Sequence, residues 1–383
     1  MTKLKGNAIA TILFTFLISA PTAALEFGWN ELPDTRLRAV CPPNTAEYSF
    51  ANRCGNVINA WSGAVLDTLR NRLLIWGGGH GDYYGNEVYS LNLSNFIFER
   101  LTNPSSGFII GGECADSLPD GNPTSRHTYG GLAYIAHADK MFAYGGSRAC
   151  GSGGFGTDVW TLNLSTNTWT KMAATGRNPG PSVVASQYDP VTKKVYVRSQ
   201  YYFYAYDYDS DSWERLSASQ YIGGYGKASA VIDPVRRKFV IVGPGGVEII
   251  DLNPGSDYSA VHLNTTGPQT IISDGRSPGL AYDKSRDKIV AWDGSDSGTT
   301  PDTVYVLDID NATWLSVADA NRGPVGNSKS RGTFGRWRYV EQFDAFIVVN
   351  SADENAFLFS FEAGSLPTPD TVSPAKIEPF GVN

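Results

Sequence analysis

The sequence predicts an all-β ring of six four-stranded blades, a β-propeller, on three observations. An apolar strand recurs six times, at residues 73–76, 141–144, 194–197, 238–242, 288–292 and 345–349. A strand of small residues ending near an Asp precedes it, as at 63–67, 230–233 and 279–283. Downstream, an aromatic in the third strand is followed nine residues later by another: Tyr89 and Phe98, Trp160 and Trp169, Tyr204 and Trp213, Tyr305 and Trp314. Short strands of β-branched and aromatic residues returning at this period indicate radially repeated sheets.

The chain opens with Lys3 and Lys5, an apolar run over 9–20 and the small residues Thr22-Ala23-Ala24. Residues 1–24 therefore read as a secretory signal, because the run is too short to span a bilayer. Residues 25–366 are expected to form one propeller, and 367–383 an irregular proline-rich tail. A secreted or periplasmic protein follows. In that oxidising setting Cys41, Cys54, Cys114 and Cys150 are expected to form two disulfides. Three pairings are open. Cys41–Cys54 with Cys114–Cys150 is favoured because the first closes a local loop. No later run is long and apolar enough for a membrane helix. A net charge of −7 gives nucleic-acid binding no electrostatic support, and the protein is expected to act as a monomer.

Along the ring, third strands begin at Val88, Val159, Phe203, Val247, Val304 and Ala356. Polar turns such as 165–167 and 310–312 lead into the fourth strands. The same hairpin chemistry accounts for Asp209 and Asp211 without a calcium ion. The sixth blade has no aromatic fourth strand after Phe361. The segment 27–32, FGWNEL, has that character, so the N-terminal strand is expected to close the ring and remove its open edges. Six blades is the count. A seventh would have to lie within 34–56 or 103–122.

The pairs Gly77-Gly78 and Gly145-Gly146, with the downstream aromatic spacing, resemble kelch repeats across nearly the whole mature chain. Blades three, four and six lack the glycine pair. The resemblance implies a kelch-type propeller, a fold that serves binding proteins, oxidases and polysaccharide lyases alike. The side chains at its mouths therefore have to decide the function.

Antiparallel order within a blade brings the loop between strands two and three to the same mouth as the segment leading into strand one. Blade one contributes His80, Asp82, Tyr83, Tyr84 and Asn86 there, and blade two Arg126, His127, Tyr129 and Arg148. Arg198, Tyr201 and Tyr202 come from blade three, and Tyr225 and Lys227 lead into blade four. Arg276, Asp293 and Asp296 belong to blade five, and Arg331, Arg336 and Asn350 to blade six. The opposite mouth reads as ordinary. His137 falls in a turn and His262 on an outer strand, both in surface or structural roles.

This set excludes several chemistries. Glycoside hydrolysis needs two carboxylates flanking the bond, and Asp82, Asp293 and Asp296 are scattered. No Ser–His–acid pattern or GxSxG elbow is present. Copper radical oxidases of related fold need histidine ligands, and none follows His262. β-Elimination from a uronate fits better. It needs a base for the C5 proton, a cation for the carboxylate and an acid for the leaving oxygen.

In residue types and placement the set resembles the propeller-fold polysaccharide lyases, the ulvan lyases in particular. The resemblance implies an anionic polysaccharide substrate, with His80 or His127 as proton acceptor and Tyr84 or Tyr202 as proton donor. Arg126 or Arg198 would neutralise the uronate. Tyr83, Asn86, Tyr129, Tyr201, Lys227 and Arg276 would line the subsites, although Asn86 equally suits the tight turn after Gly85. The chemistry requires no cofactor, and the resemblance leaves a structural divalent metal open. The competing expectation is a non-catalytic propeller that binds glycan or an envelope protein through the same arginines and aromatics.

Overall fold

The computed structural model describes residues 24–365 apart from 109, 111, 113, 152, 219–225, 274–276, 295–302, 319–322 and 325–330. The expected signal and tail lie outside the described residues, as do Tyr225, Arg276 and Asp296.

Six antiparallel sheets surround one axis. The innermost strands are Ala64–Asp67, Leu132–Ile135, Ala185–Asp189, Ser229–Asp233, Gly279–Asp283 and Trp337–Val340. Each touches the next around the axis, and the last touches the first. The N-terminal strand Gly28–Leu32 pairs antiparallel with Ala356–Ser360 and completes the sixth sheet, as its sequence predicts. Blade three adds a short strand, Thr175–Gly176, parallel to its outermost strand. The region 34–56 holds short helical turns at Leu37–Val40 and Phe50–Arg53, so no seventh blade is hidden there.

Blades stack face to face, which buries both faces of the inner strands. Trp76, Trp160, Trp292, Trp314 and Trp337 are fully buried between them. Outer strands meet water and alternate accordingly, as at Ile97–Arg100. Innermost strands end in Asp67, Asp189, Asp233 and Asp283. Each accepts hydrogen bonds from backbone N–H groups two and three residues on, which closes the turn. Arg70, Arg236 and Arg286 then reach from these turns to Asp139, Asp287 and Asp344 of the following blade.

Both favoured disulfides are present, Cys41–Cys54 and Cys114–Cys150. Among the described residues no helix is long and apolar enough to cross a membrane, and no group of His, Cys, Asp and Glu is arranged to hold a metal.

Candidate functional site

The first mouth is built on unusual backbone conformations. Trp61, Tyr129 and Phe334 each stand three residues before an innermost strand, in blades one, two and six. All three have positive φ, at 49°, 47° and 48°. A fourth such residue, His80 at 44°, lies in the loop of blade one. Left-handed backbone is unfavourable for residues with a Cβ and persists where surrounding contacts enforce it. Here the contacts run between blades: the Tyr129 N–H donates to the Trp61 carbonyl at 2.7 Å, and the His80 N–H to the Arg148 carbonyl at 2.9 Å. Gly79, with φ 86°, lets the loop lie directly against blade two, since a Cβ there would meet the His127 backbone nitrogen at 2.3 Å.

This packing brings the two expected imidazoles together. The His80 and His127 rings stack with centroids 6.0 Å apart. His127 Nε2 lies 2.9 Å from Asp82 Oδ2, and Trp61 and Tyr129 flank the His127 ring at 4.9 and 6.0 Å. Tyr129 meets Phe334 edge-on, and the Arg331 guanidinium sits 5.5 Å over Trp61. His80 is exposed, whereas His127 is buried. The hydrogen bond from His127 holds the Asp82 carboxyl below the usual carboxylate range. Burial opposes this, and the nearby charges of His127, Arg331 and His80 add to it.

Several expected members are elsewhere. Tyr84 is buried against Tyr48 and Phe108, and cannot reach a leaving group. Tyr83 is buried with its hydroxyl donating to Glu87 at 2.6 Å. Asn86 is buried, and its amide donates to Ser105 and the Pro123 carbonyl, so it holds chain rather than sugar. Arg126 is fully buried, spans to the Gly145 carbonyl and lies over Trp76. Arg198 is buried and faces Glu248 at 3.4 Å, joining blades three and four. Arg336 is likewise internal, donating to the Ser62 carbonyl. Their common cause is that long side chains on inner loops find carbonyls and carboxylates of their own or an adjoining blade before they find water. Tyr202 is partly exposed and carries Arg215 over its ring at 4.6 Å. Tyr201 is exposed and Lys227 half-buried. Asp293 and Asn350 are buried.

Sequence reasoning missed Trp61 and Phe334. A signal was present: an aromatic followed within two residues by Gly, three positions before an inner strand, occurs in Trp61-Ser62-Gly63, Tyr129-Gly130-Gly131 and Phe334-Gly335.

A second segment supports the loop from behind. Arg53 donates to the Gly81 carbonyl and Asn56 to the Asp82 carbonyl, both at 2.9 Å. The Cys41–Cys54 bridge ties this segment to the short helical turn before it. Cys114–Cys150 pins the insert 103–122 to the loop of blade two, beside an ion pair between Arg148 and Asp116.

At the opposite mouth His137 is exposed and structural, as expected, but the mouth also holds a cavity that was not. His137 stacks on Tyr188 and bonds its hydroxyl at 2.9 Å, and an axial cavity of about 390 Å³ opens there. His262 is exposed on the outer strand Ala260–Leu263, as expected.

No protein-family model matches the sequence, and neither does any curated protein. Among solved structures, that of YjhT is similar at a TM-score of 0.50 and 12% identity, over 78% of this chain and 93% of that chain. At that identity the likeness concerns the fold alone.

Proposed function

We propose that the first mouth is the active centre of an exported, kelch-type carbohydrate-active enzyme that cleaves a uronate-bearing polysaccharide by β-elimination. The observation that carries this reading is the array Asp82–His127–His80, with an ionised carboxylate at one end and an exposed imidazole at the other.

His80 accepts the C5 proton. Asp82 orients His127 and favours the positive charge that the imidazole pair gains. Arg331 neutralises the uronate carboxylate, which lowers the cost of charge developing at C5. As the C5–H bond breaks, its electron pair forms the C4–C5 double bond and the C4–O bond breaks. Tyr129 protonates the departing oxygen and recovers its proton from solvent. The faces of Trp61 and Tyr129 provide stacking surfaces for sugar rings. Compared with the roles expected from sequence, the cation becomes Arg331 and the acid Tyr129.

The test incubates purified protein with a panel of uronic-acid polysaccharides and follows the ultraviolet absorbance of the unsaturated product. His80→Ala is expected to abolish product while polymer binding persists. If the wild type forms no product from any polymer yet still binds one, a non-catalytic glycan-binding propeller replaces this reading.

A further inference from the structure

At the second mouth the inner strands present one side chain per blade in a shared register: Leu66, Tyr134, Tyr188, Ile232, Tyr282 and Tyr339. Leu66 and the four tyrosines line the cavity of about 390 Å³, a volume in the range of small-molecule pockets. Below them the lining is of small residues, Ala133, Val231 and Ala281. Arg338 and Gln187 form the floor. The same two residues line a constriction of about 10 Å³ toward the first mouth, so the cavity ends there.

The floor is cationic. Arg338 donates to the Gly335 and Ala64 carbonyls at 2.9 and 3.0 Å. Among the described residues no carboxylate acts on it. Burial alone moves its pKa, down to about 10, so it stays charged at neutral pH. Three wall hydroxyls are committed as donors, Tyr134 to Asp139, Tyr282 to Asp287 and Tyr339 to Asp344. The Tyr134 and Tyr282 oxygens keep lone pairs that accept, whereas the Tyr339 oxygen already accepts from Ser285 at 2.8 Å. Gln187 donates its amide to the Ala230 carbonyl, which leaves its oxygen to accept as well. A matching guest carries an anionic group for the floor and several hydroxyl donors for the wall.

We infer that the second mouth is a binding site for one polyhydroxylated carboxylate, of the size and chemistry of a free uronic acid. The inference stands on the pocket's own groups and does not need elimination at the other mouth.

Isothermal titration of the purified protein with glucuronate, and with glucose as the uncharged reference, tests it. Glucuronate is expected to bind saturably and glucose at least about tenfold more weakly, because a charge-assisted hydrogen bond is lost. Thr68→Trp, at an exposed position on the rim, obstructs the cavity without touching the core and is expected to weaken glucuronate at least about tenfold. Arg338→Met is expected to do the same, and if that variant does not fold, Thr68→Trp decides. His80→Ala is expected to leave this affinity unchanged. The inference is overturned if glucuronate does not bind, if glucose binds equally, or if binding survives Thr68→Trp. It is also overturned if His80→Ala abolishes binding, which would move the ligand to the first mouth. Product formation from polymer is read separately, so failure of either site leaves the other testable.

Discussion

His127 Nε2 and Asp82 Oδ2 lie 2.9 Å apart although they belong to different blades. The contact joins the loop of blade one to the segment leading into blade two, so one hydrogen bond both positions an imidazole and links two sheets. Asp82 has a depressed pKa in the folded state, chiefly through that bond. A depressed carboxyl pKa stabilises the fold fully above the unfolded value of about 4 and ceases to do so as pH falls through the folded value. Asp82→Asn is therefore expected to lower the melting temperature by a constant amount near neutral pH. The gap to wild type should close below about pH 4. Thermal unfolding of both proteins across that range checks this, and a gap independent of pH would exclude it.

The Cys41–Cys54 bridge is expected to matter to the site as well as to the fold. Arg53, within the loop this bridge closes, and Asn56, two residues beyond it, hold the backbone of Gly81 and Asp82. A loop of this length is worth about 3 kcal/mol in the chain-entropy account. The double variant Cys41→Ser, Cys54→Ser should lose stability of that order in chemical denaturation. Asn56→Ala should cost about 1 kcal/mol or less yet lower turnover, since it frees the Asp82 carbonyl. Equal turnover in Asn56→Ala and wild type would show that the loop holds its shape unaided.

Glu87 makes the opposite pH prediction. It is buried and accepts hydrogen bonds from Tyr83 and Tyr89, each at 2.6 Å, and burial raises its pKa despite them. The folded protein then holds this proton to higher pH than the unfolded chain does. As pH rises through the unfolded value of about 4.3, ionisation favours the unfolded state until the folded value is passed. Glu87→Gln has no proton to lose. Its stability relative to wild type should climb with pH over that window and then level off. Parallel denaturation profiles for the two proteins would contradict the assignment.

What the sequence made legible, and what it did not, follows from the range of the forces involved. Strand periodicity and the aromatic spacing from Tyr89 to Phe98 or Trp160 to Trp169 report local pleating and blade contacts, so blade number and closure by Gly28–Leu32 could be read directly. That His80 and His127 share one mouth followed from strand direction alone, while their stacking depends on how the loop of blade one packs against blade two. The fate of Arg126, Arg198 and Tyr84 did not follow from direction, because it depends on what distant segments bring within a few ångströms: the Gly145 carbonyl of the same blade, Glu248 of the next blade and the Tyr48–Phe108 cluster outside the blades. Arginine type alone does not separate a strut from a ligand. The cavity at the second mouth was not legible for a related reason. Its tyrosines are spread singly over four blades, and only the ring collects them around Arg338.

Trp61 links backbone strain to binding, and two substitutions separate the terms. Its φ of 49° is costly for a residue with a Cβ, while its ring packs on His127 and beneath Arg331. Trp61→Ala and Trp61→Gly both remove the ring, so both should weaken polysaccharide binding by a similar factor, tenfold or more if a stacking contact of about 1.5 kcal/mol is lost. They differ only in backbone. Alanine keeps the penalty of left-handed conformation and glycine relieves it, so Trp61→Gly should be the more stable of the two by about 1 kcal/mol. Glycine also gains freedom in the unfolded chain, which offsets part of that difference. Denaturation and polymer binding on the same two variants therefore read strain and recognition independently. Were Trp61→Ala the more stable, the positive φ would not be a stored cost, and the aromatic positions at 61, 129 and 334 would owe their conformation to the loop rather than to the site.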